Sequence, residues 1–176
     1  MSKGKVAAVA GVTGAGKTSF IKKEFAALTK KKILVYATVR SDFKDFPNAI
    51  IFTNFVEFID AALKEKDCLC IIDEAFSCLP EKLNIRPDKP NSIDNKIARF
   101  LLDSRKFNRF VLILFHALAQ VPTKWLLHYL DWFIRFTTQD LLQYQEQRFK
   151  SFPNIVENLK RFPVLPNFIP HKLKMR

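Results

Sequence analysis

The sequence predicts an α/β protein built on a doubly wound, mainly parallel β-sheet. Short apolar runs alternate along the chain with segments of helical periodicity, and a Gly-rich segment joins the first run to the first helical segment. The length of 176 residues suits one compact domain. Ligands of such sheets bind at the carboxyl ends of the strands. The residues that follow each predicted strand are therefore the first candidates for function.

The first half of the chain opens with a strand, a loop and a helix. Residues 5–10 form a run of small apolar residues after the initial lysine, as in a strand covered on both faces. Apolar residues then recur at helical spacing from 18 to about 30. Further strands are predicted at 32–39 and 49–53, and Asn54 is expected to cap a helix that runs to about residue 66.

The second half repeats the alternation. A strand is predicted at 69–73, and the segment after it contains Pro80, Pro87 and Pro90, which favour irregular structure. The remaining predicted elements are a helix at 92–107, a strand at 109–115, a short helix at 122–130 and a strand at 132–136.

The C-terminal part differs in composition. Beyond Asp140 an amphipathic helical piece is predicted, followed by an extended tail interrupted by prolines. No acidic residue follows Glu157, and the basic residues after it are Lys160, Arg161, Lys172, Lys174 and Arg176. We therefore expect a main domain over 1–140 and a helical segment with a Pro-rich basic tail over 141–176. Binding to nucleic acid, better solubility and attachment to an acidic capsid or membrane face are alternative roles for this tail.

The balance of charge indicates an acidic partner. Lys and Arg number 29 against 17 Asp and Glu, a formal net charge of +12. Nucleic acid is the commonest large polyanion that a basic domain meets, and an anionic membrane surface is the competing partner.

The cysteines and apolar stretches indicate a reduced, cytoplasmic setting. Of three cysteines, Cys68 and Cys70 lie one residue apart, where a disulfide between them would be strained. The N-terminal lysines and apolar run resemble the start of a signal peptide, but the run is short and ends at the Gly-rich segment. No apolar stretch approaches the roughly 18 residues that span a membrane. We expect free thiols and no transmembrane segment.

The Gly-rich segment has the pattern of a P-loop, the Walker A motif. Backbone N–H groups and the start of a helix close around a phosphate chain there, so glycines stand where a Cβ would block the approach. Lys17 is expected to hold the β- and γ-phosphates, and the Thr18 hydroxyl to ligate Mg²⁺. The residues predicted to bind the nucleotide are Gly11, Val12, Thr13, Gly14, Ala15, Gly16, Lys17, Thr18 and Ser19.

Two acids at the end of the strand predicted at 69–73 supply the second half of such a site, the Walker B motif. Asp73 is expected to complete the Mg²⁺ shell, and Glu74 to polarise the attacking water. An exposed acidic turn is the alternative interpretation. Together with the P-loop, the pair favours a nucleotide hydrolase over a simple binding protein.

With these two motifs the chain resembles the FtsK–HerA class of DNA-pumping ATPases, especially small viral genome-packaging ATPases and Zot-like phage assembly proteins. In that class a helix carrying Arg and a basic residue follows the acidic strand, and a further strand leads to a polar sensor and a Pro-containing turn. Here these features are Arg105-Lys106, the strand predicted at 109–115, and a turn from His116 through Gln120 to Pro122. The match spans roughly 5–136.

The resemblance implies a RecA-like P-loop NTPase fold, with ATP and Mg²⁺ as cofactors. It implies ATP hydrolysis that powers DNA translocation, most of all viral genome packaging, by a homo-oligomeric ring of five or six subunits. DNA and a viral capsid or portal component are the implied partners, and the host cytoplasm or the virion the implied location.

The resemblance also assigns roles to side chains beyond the two motifs. The class usually has a Gln that senses the γ-phosphate directly after the strand, where this chain has His116, and Gln120 follows four residues later. Both side chains can donate a hydrogen bond, so His116 is the first candidate for the sensor and Gln120 the second. A hydrogen-bonded histidine of the core is the alternative interpretation of His116. Arg105 matches the position that reaches a neighbouring subunit's nucleotide, with Arg99 as the substitute and a solvated helix-face arginine as the alternative.

Two other function classes stay open at this point. A small-molecule kinase of the nucleoside or nucleotide type shares the P-loop and the size, although the segment with Pro80, Pro87 and Pro90 lacks the Arg-rich character of a kinase lid. A Zot-like phage assembly factor would normally carry a membrane-spanning segment.

Overall fold

A computed structural model describes residues 4–11, 16–24, 31–39, 43–44, 46, 48–117, 120–135 and 171–175. Its centre is a seven-stranded sheet in the order β3-β2-β4-β5-β1-β6-β7. The strands are β1 Val6–Ala10, β2 Ile33–Tyr36, β3 Ala49–Phe52, β4 Leu69–Ile72, β5 Phe110–Phe115, β6 Trp132–Arg135 and β7 His171–Lys174. The first six are parallel to their neighbours, and β7 is antiparallel to β6.

Helices cover both faces of the sheet, which confirms the doubly wound class. The described helices are α1 Lys17–Glu24, α2 Phe55–Lys64 and α3 Ile93–Leu102. Alternate residues of β1 enter two separate cores: Ala8 packs in the cluster of α2 and α3, and Val9 in the cluster that contains Ile21 of α1. Every residue of β1 is buried, as expected for a central strand of a parallel sheet.

The two predicted helix starts are confirmed by their caps. The Asn54 side chain accepts from the N–H groups of Val56 at 2.9 Å and Glu57 at 3.2 Å. Ser92 caps α3 through the N–H of Asn95, at 3.4 Å. Side chains of this kind satisfy N–H groups that the first helical turn leaves without partners.

Two predicted helices are shorter than expected. α3 ends at Leu102 instead of residue 107, because the Ser104 hydroxyl donates a hydrogen bond to the carbonyl of Leu101 at 2.7 Å. The residues after it form a turn that ends at Asn108, which has a φ of 53°. The helix predicted at 122–130 is only a 3₁₀ turn over Leu126–His128. The helical spacing of apolar residues in the sequence continues beyond the points at which local hydrogen bonds end these helices, so it predicts them too long.

The C-terminal end of the chain adds a strand that the sequence did not predict. Residues 171–174 lie in the segment expected to be a tail, yet β7 pairs with β6 over four residues. The amphipathic piece predicted beyond residue 140 lies outside the described residues, so the division at 140 stays a prediction. None of the described helices has the length and apolar character needed to cross a membrane.

The amino ends of the strands form a tightly joined edge. The carboxylate of Asp131 accepts the N–H of Val6 at 2.9 Å and pairs with Arg105. A Cβ on Gly4 would collide with the backbone of Ser104 and Arg109, so only glycine fits where the chain enters β1.

A buried arginine lies beside two thiols at the same edge. Arg109 is fully buried, donates to the carbonyl of Ala62 at 2.9 Å and lies over the ring of Phe107, 4.9 Å from its centroid. The thiols of Cys68 and Cys70 share a hydrogen bond, with their sulfur atoms 3.6 Å apart, and form no disulfide. All three cysteines are free, and burial raises the pKa of the Cys78 thiol to about 12.

Candidate nucleotide site

The candidate site lies at the carboxyl edge of the sheet, where four neighbouring strands end. Gly11 follows β1, Thr38 lies just beyond β2, Asp73 follows β4 and His116 follows β5. Because these strands are parallel and adjacent in the order β2-β4-β5-β1, the residues after them share one edge. This is the place where an α/β sheet of this class binds its ligand.

The two ends of the P-loop are held by the sheet and by α1. The N–H of Gly11 donates to the carbonyl of Phe115 at 3.1 Å. Gly16 has a φ of 85°, and its carbonyl accepts the N–H of Phe20 at 2.8 Å in the first turn of α1. Val12, Thr13, Gly14 and Ala15 lie outside the described residues. The described part therefore has the strand, loop and helix order that the motif requires.

Lys17 is the first residue of α1, and its side chain folds back over the start of the loop. Its Nζ donates to the carbonyl of Gly11 at 2.7 Å. Burial lowers the pKa of Lys17, while the nearby carboxylate of Asp73 acts in the opposite direction. A cation at a helix N-terminus is unfavourable by itself, and an arriving phosphate would relieve that cost. Lys17 is thus placed to meet an anion.

Glu74 occupies a strained backbone position next to Asp73. The N–H of Asp73 donates to the carbonyl of Tyr36 at 2.8 Å, which continues the β2–β4 pairing past the strand. Glu74 then adopts φ 49° and ψ 45°, the left-handed region that non-glycine residues rarely occupy. Strain of this kind persists where surrounding contacts hold it, often at functional sites.

The carboxylate of Glu74 is held from two sides. The Thr38 hydroxyl donates to Oε2, and the Nε2 of His116 lies 3.5 Å from Oε1. The sequence analysis did not identify Thr38 as a site residue. Its only indication in the sequence is a hydroxyl-bearing side chain two residues after the end of β2. Because β2 and β5 flank β4, residues from both neighbouring strands converge on this acid.

His116 and Gln120 lie in the turn after β5 but make different contacts. The Gln120 side-chain carbonyl accepts the N–H groups of His116 at 3.1 Å and Ala117 at 3.2 Å, so it shapes the turn. The His116 side chain is 37% exposed and faces Glu74, which excludes the core-histidine alternative. The sensor role of either residue stays a prediction.

Arg105 lies at the opposite edge of the sheet. It belongs to the turn between α3 and β5, and it pairs with Asp131 while remaining 45% exposed. In its own chain it therefore lies across the sheet from Lys17, Asp73 and Glu74. Arg99, in the last turn of α3, is exposed. Action of either arginine on a neighbouring subunit stays a prediction.

The oxygen groups at the site fit a magnesium ion. The Thr18 hydroxyl in the first turn of α1 and the Asp73 carboxylate are the hard oxygen ligands that Mg²⁺ prefers. Among the described residues no cluster of three or more His, Cys, Asp or Glu side chains is arranged to hold a metal. Phosphate oxygens and water would therefore have to supply most of the shell, as is usual for Mg²⁺ on a nucleotide.

The fold and the arrangement of Lys17, Asp73 and Glu74 define the class: a P-loop NTPase fold. No family model matches the chain, and no curated protein matches it.

Solved structures with this fold do match. The genome-packaging NTPase B204 of Sulfolobus turreted icosahedral virus 2, in complex with ATPγS, is 18% identical with a TM-score of 0.67, over 100% of this chain and 94% of that one. The DNA-packaging ATPase B204 of Sulfolobus turreted icosahedral virus is 16% identical with a TM-score of 0.69, over 99% and 98%. The pCW3 conjugation coupling protein TcpA, with ATPγS, is 15% identical with a TM-score of 0.54, over 82% and 52%.

Proposed function

We propose that this protein is an ATP hydrolase that powers DNA translocation, most of all viral genome packaging, as a ring of identical subunits. The observation that carries the proposal is the position of Glu74. Its carboxylate is held by Thr38 and faced by His116, next to the Asp73 that acts on Lys17. A binding protein would not require a strained acid held at this point.

ATP is the proposed nucleotide, and the P-loop its proposed binding site. That choice is supported by the ATPγS complex of the viral packaging NTPase, whose structure matches this chain over its full length. The phosphates would lie on the N–H groups of the P-loop and α1, with Lys17 between the β- and γ-phosphates. Thr18 and Asp73 would hold Mg²⁺, which neutralises charge on the phosphate oxygens when bound.

Glu74 is the proposed general base. Its carboxylate would accept a proton from water as that water attacks the γ-phosphate, and His116 or Gln120 would donate a hydrogen bond to the phosphate oxygens. The Thr38 hydroxyl would hold Oε2, so Oε1, which lies 3.5 Å from the Nε2 of His116, would accept the proton. Arg105 of an adjacent subunit, with Arg99 as the substitute, would offset the charge that develops in the transition state.

Coupling to DNA is supported by charge and by fold. A surplus of 12 positive charges favours binding to phosphate backbones without regard to sequence, as a translocating enzyme needs. The similar structures include a DNA-packaging ATPase that this chain matches over nearly its full length.

The test is ATP turnover with and without DNA, together with solution mass. We expect hydrolysis, stimulation by DNA and a mass of several subunits. Lys17→Ala should weaken binding of a fluorescent ATP analogue by about 100-fold, the loss of roughly 3 kcal/mol in charge-assisted hydrogen bonds. The exposed Lys64→Ala is the control and should bind as the wild type does. Transfer of phosphate to a nucleoside instead of water would favour a kinase and contradict the proposal.

A further inference from the structure

Two thiols and one guanidinium form a cluster at the amino end of β4. Cys68 directly precedes the strand and Cys70 lies in it, and both side chains enter the same core because residues two apart on a strand share a face. Their sulfur atoms are 3.6 Å apart in a hydrogen bond. In the β4–β5 pairing Leu69 lies opposite Phe110, so Cys68 lies opposite Arg109. The sheet therefore places a buried cation beside two neighbouring thiols.

The guanidinium of Arg109 is incompletely satisfied. Its Nη1 donates to the carbonyl of Ala62, whereas Nε and Nη2 have no hydrogen-bond partner among the described residues. A buried cation is costly unless an opposite charge lies near it. Burial lowers the pKa of Arg109, and the thiols of Cys70 and Cys68 are the strongest influences in the opposite direction. These thiols are the groups best placed to supply a compensating negative charge.

Cys68 is the thiol of the pair that ionises first. Its hydrogen bond with Cys70 lowers the pKa of Cys68, burial acts in the opposite direction, and the charge of Arg109 lowers the pKa again. Glu65 raises it and Lys32 lowers it, and because these two side chains form an ion pair their effects largely cancel. The shared hydrogen bond and burial raise the pKa of Cys70. An ionised thiol next to a second thiol is the arrangement in which one sulfur is oxidised and the other resolves it.

We infer that Cys68 and Cys70 are a peroxide-oxidised thiol pair whose disulfide slows ATP hydrolysis; the effect on hydrolysis rests on the proposed function. The Cys68 thiolate attacks one oxygen of hydrogen peroxide and becomes a sulfenic acid, and the O–O bond breaks. The released hydroxide takes up the proton that Cys68 lost and leaves as water. The Cys70 sulfur then attacks the Cys68 sulfur, and its proton leaves with the displaced hydroxide as a second water. The two thiols lose two electrons, which reduce the peroxide.

The oxidant reaches Cys68 through the turn before β4. The Cys68 side chain is only 1% exposed, but Lys66 and Asp67 just before it are exposed. Asp67 has a φ of 52°, and its N–H donates to the carbonyl of Phe107 at 3.0 Å. Local opening of an exposed turn admits small molecules to the groups beneath it. Oxidation is therefore limited by the opening of this turn and is slower than that of a surface thiol.

The disulfide alters the strand that leads to the catalytic acids. Cα atoms two residues apart in a strand are separated by about 6.6 Å, twice the rise per residue, whereas disulfides usually join Cα atoms about 5.5–6 Å apart. Closing the bond therefore distorts β4 at Cys70, which pairs with Leu34 of β2 and Val111 of β5. Glu74 follows β4 and is contacted by side chains that follow β2 and β5. Because a catalytic group displaced by about 1 Å can lose about 100-fold in rate, the oxidised protein hydrolyses ATP more slowly.

The experiment is peroxide oxidation of Cys78→Ser, which leaves Cys68 and Cys70 as the only thiols of the chain. Peptide mapping by mass spectrometry should show the loss of two hydrogen atoms and a Cys68–Cys70 disulfide within one chain. ATP turnover should fall about tenfold in step with the disulfide, and a dithiol reductant should restore it. Wild-type protein should give the same map, because burial raises the pKa of Cys78 to about 12 and keeps that thiol protonated.

Two further variants separate the roles of the cluster. Cys70→Ala should stop at the sulfenic acid, which dimedone traps on Cys68, and its turnover should change less than twofold. Arg109→Met removes the charge that lowers the pKa of Cys68, so the midpoint of the oxidation rate against pH should move to higher pH. Arg109→Lys retains a cation and should keep the midpoint near wild type. A purely structural Arg109 would leave the midpoint unchanged in both variants.

Three outcomes would overturn the inference. Peroxide treatment that gives no Cys68–Cys70 disulfide removes the oxidation site, even where the reduced protein hydrolyses ATP normally. A disulfide that leaves turnover unchanged removes the effect on hydrolysis. An equal loss of turnover in oxidised Cys70→Ala assigns that loss to oxidation elsewhere. The peptide map does not depend on turnover, so a disulfide in a protein that hydrolyses no ATP when reduced supports the oxidation site and contradicts the proposed function.

Discussion

The two edges of the sheet are built for different purposes. At the carboxyl edge the Lys17 ammonium lies at the N-terminus of α1, and Glu74 has a left-handed backbone conformation. At the amino edge Asp131 joins Val6 to Arg105, and Gly4 touches the backbone of the turn before β5, at Ser104 and Arg109, without space for a Cβ. The carboxyl edge has unfavourable features that a bound ligand would relieve. The amino edge is joined by contacts within the chain, although Nε and Nη2 of the buried Arg109 have no hydrogen-bond partner among the described residues. Substitutions at the two edges should therefore separate activity from stability.

Arg105 is the expected exception to this separation, since it lies at the amino edge yet is proposed to act at the carboxyl edge of a neighbouring subunit. Arg105→Ala should bind ATP normally but lower turnover by about 10³-fold. Mixed with Glu74→Gln, it should recover part of the activity, because some interfaces then pair an intact glutamate with an intact arginine. Turnover of the mixture against its components is the measurement, with Arg99→Ala in parallel. Recovery only with Arg99→Ala would transfer the role to Arg99.

Glu74→Gln should lower turnover by about 100-fold or more while ATP affinity and the unfolding midpoint stay near wild type. The amide fills the same space but cannot accept a proton from water. Single-turnover hydrolysis and urea denaturation measure the two properties. Near-normal hydrolysis would remove Glu74 from the mechanism.

Asp131→Ala is expected to lower the stability of the fold. It leaves the N–H of Val6 buried without its 2.9 Å acceptor, which should lower the free energy of unfolding by about 2 kcal/mol. Asp131→Asn keeps an acceptor oxygen and should lose less. Urea denaturation checks the order of the variants, and a wild-type midpoint for Asp131→Ala would mean that this edge does not stabilise the sheet as described.

Thr38→Val should have the smallest effect, a loss of turnover of about fivefold, or roughly 1 kcal/mol for an exposed hydrogen bond to a charged group. Valine has nearly the same shape, so the change removes only the hydroxyl that donates to Glu74. Thr38→Ser should restore turnover, which a purely structural role would not require. Steady-state kinetics of the three proteins decide between the two roles.

Much of the fold and half of the site could be predicted from local patterns. The strands were recognisable because each is a short apolar run, and the P-loop and Asp73-Glu74 because their spacing is fixed by phosphate and metal geometry. The Asn54 and Ser92 caps are likewise local signals.

The remaining features depend on residues far apart in the sequence. Thr38 meets Glu74 across 36 positions, and Gly4 is required by a turn about a hundred residues later. β7 was not predicted because its four residues form a strand through pairing with β6, and their own sequence lacks a strand pattern. Contacts of this kind leave no periodicity that a single sequence can display.

The central position of β1 has a consequence for how the protein is made. Its neighbours in the sheet are β5, which ends at Phe115, and β6, which ends at Arg135. A ribosome therefore releases the P-loop long before either strand that flanks it. Pairings across such distances slow folding, and exposed apolar strands that await partners favour aggregation and chaperone binding. The most N-terminal functional element of this chain should accordingly be among the last to acquire its native surroundings.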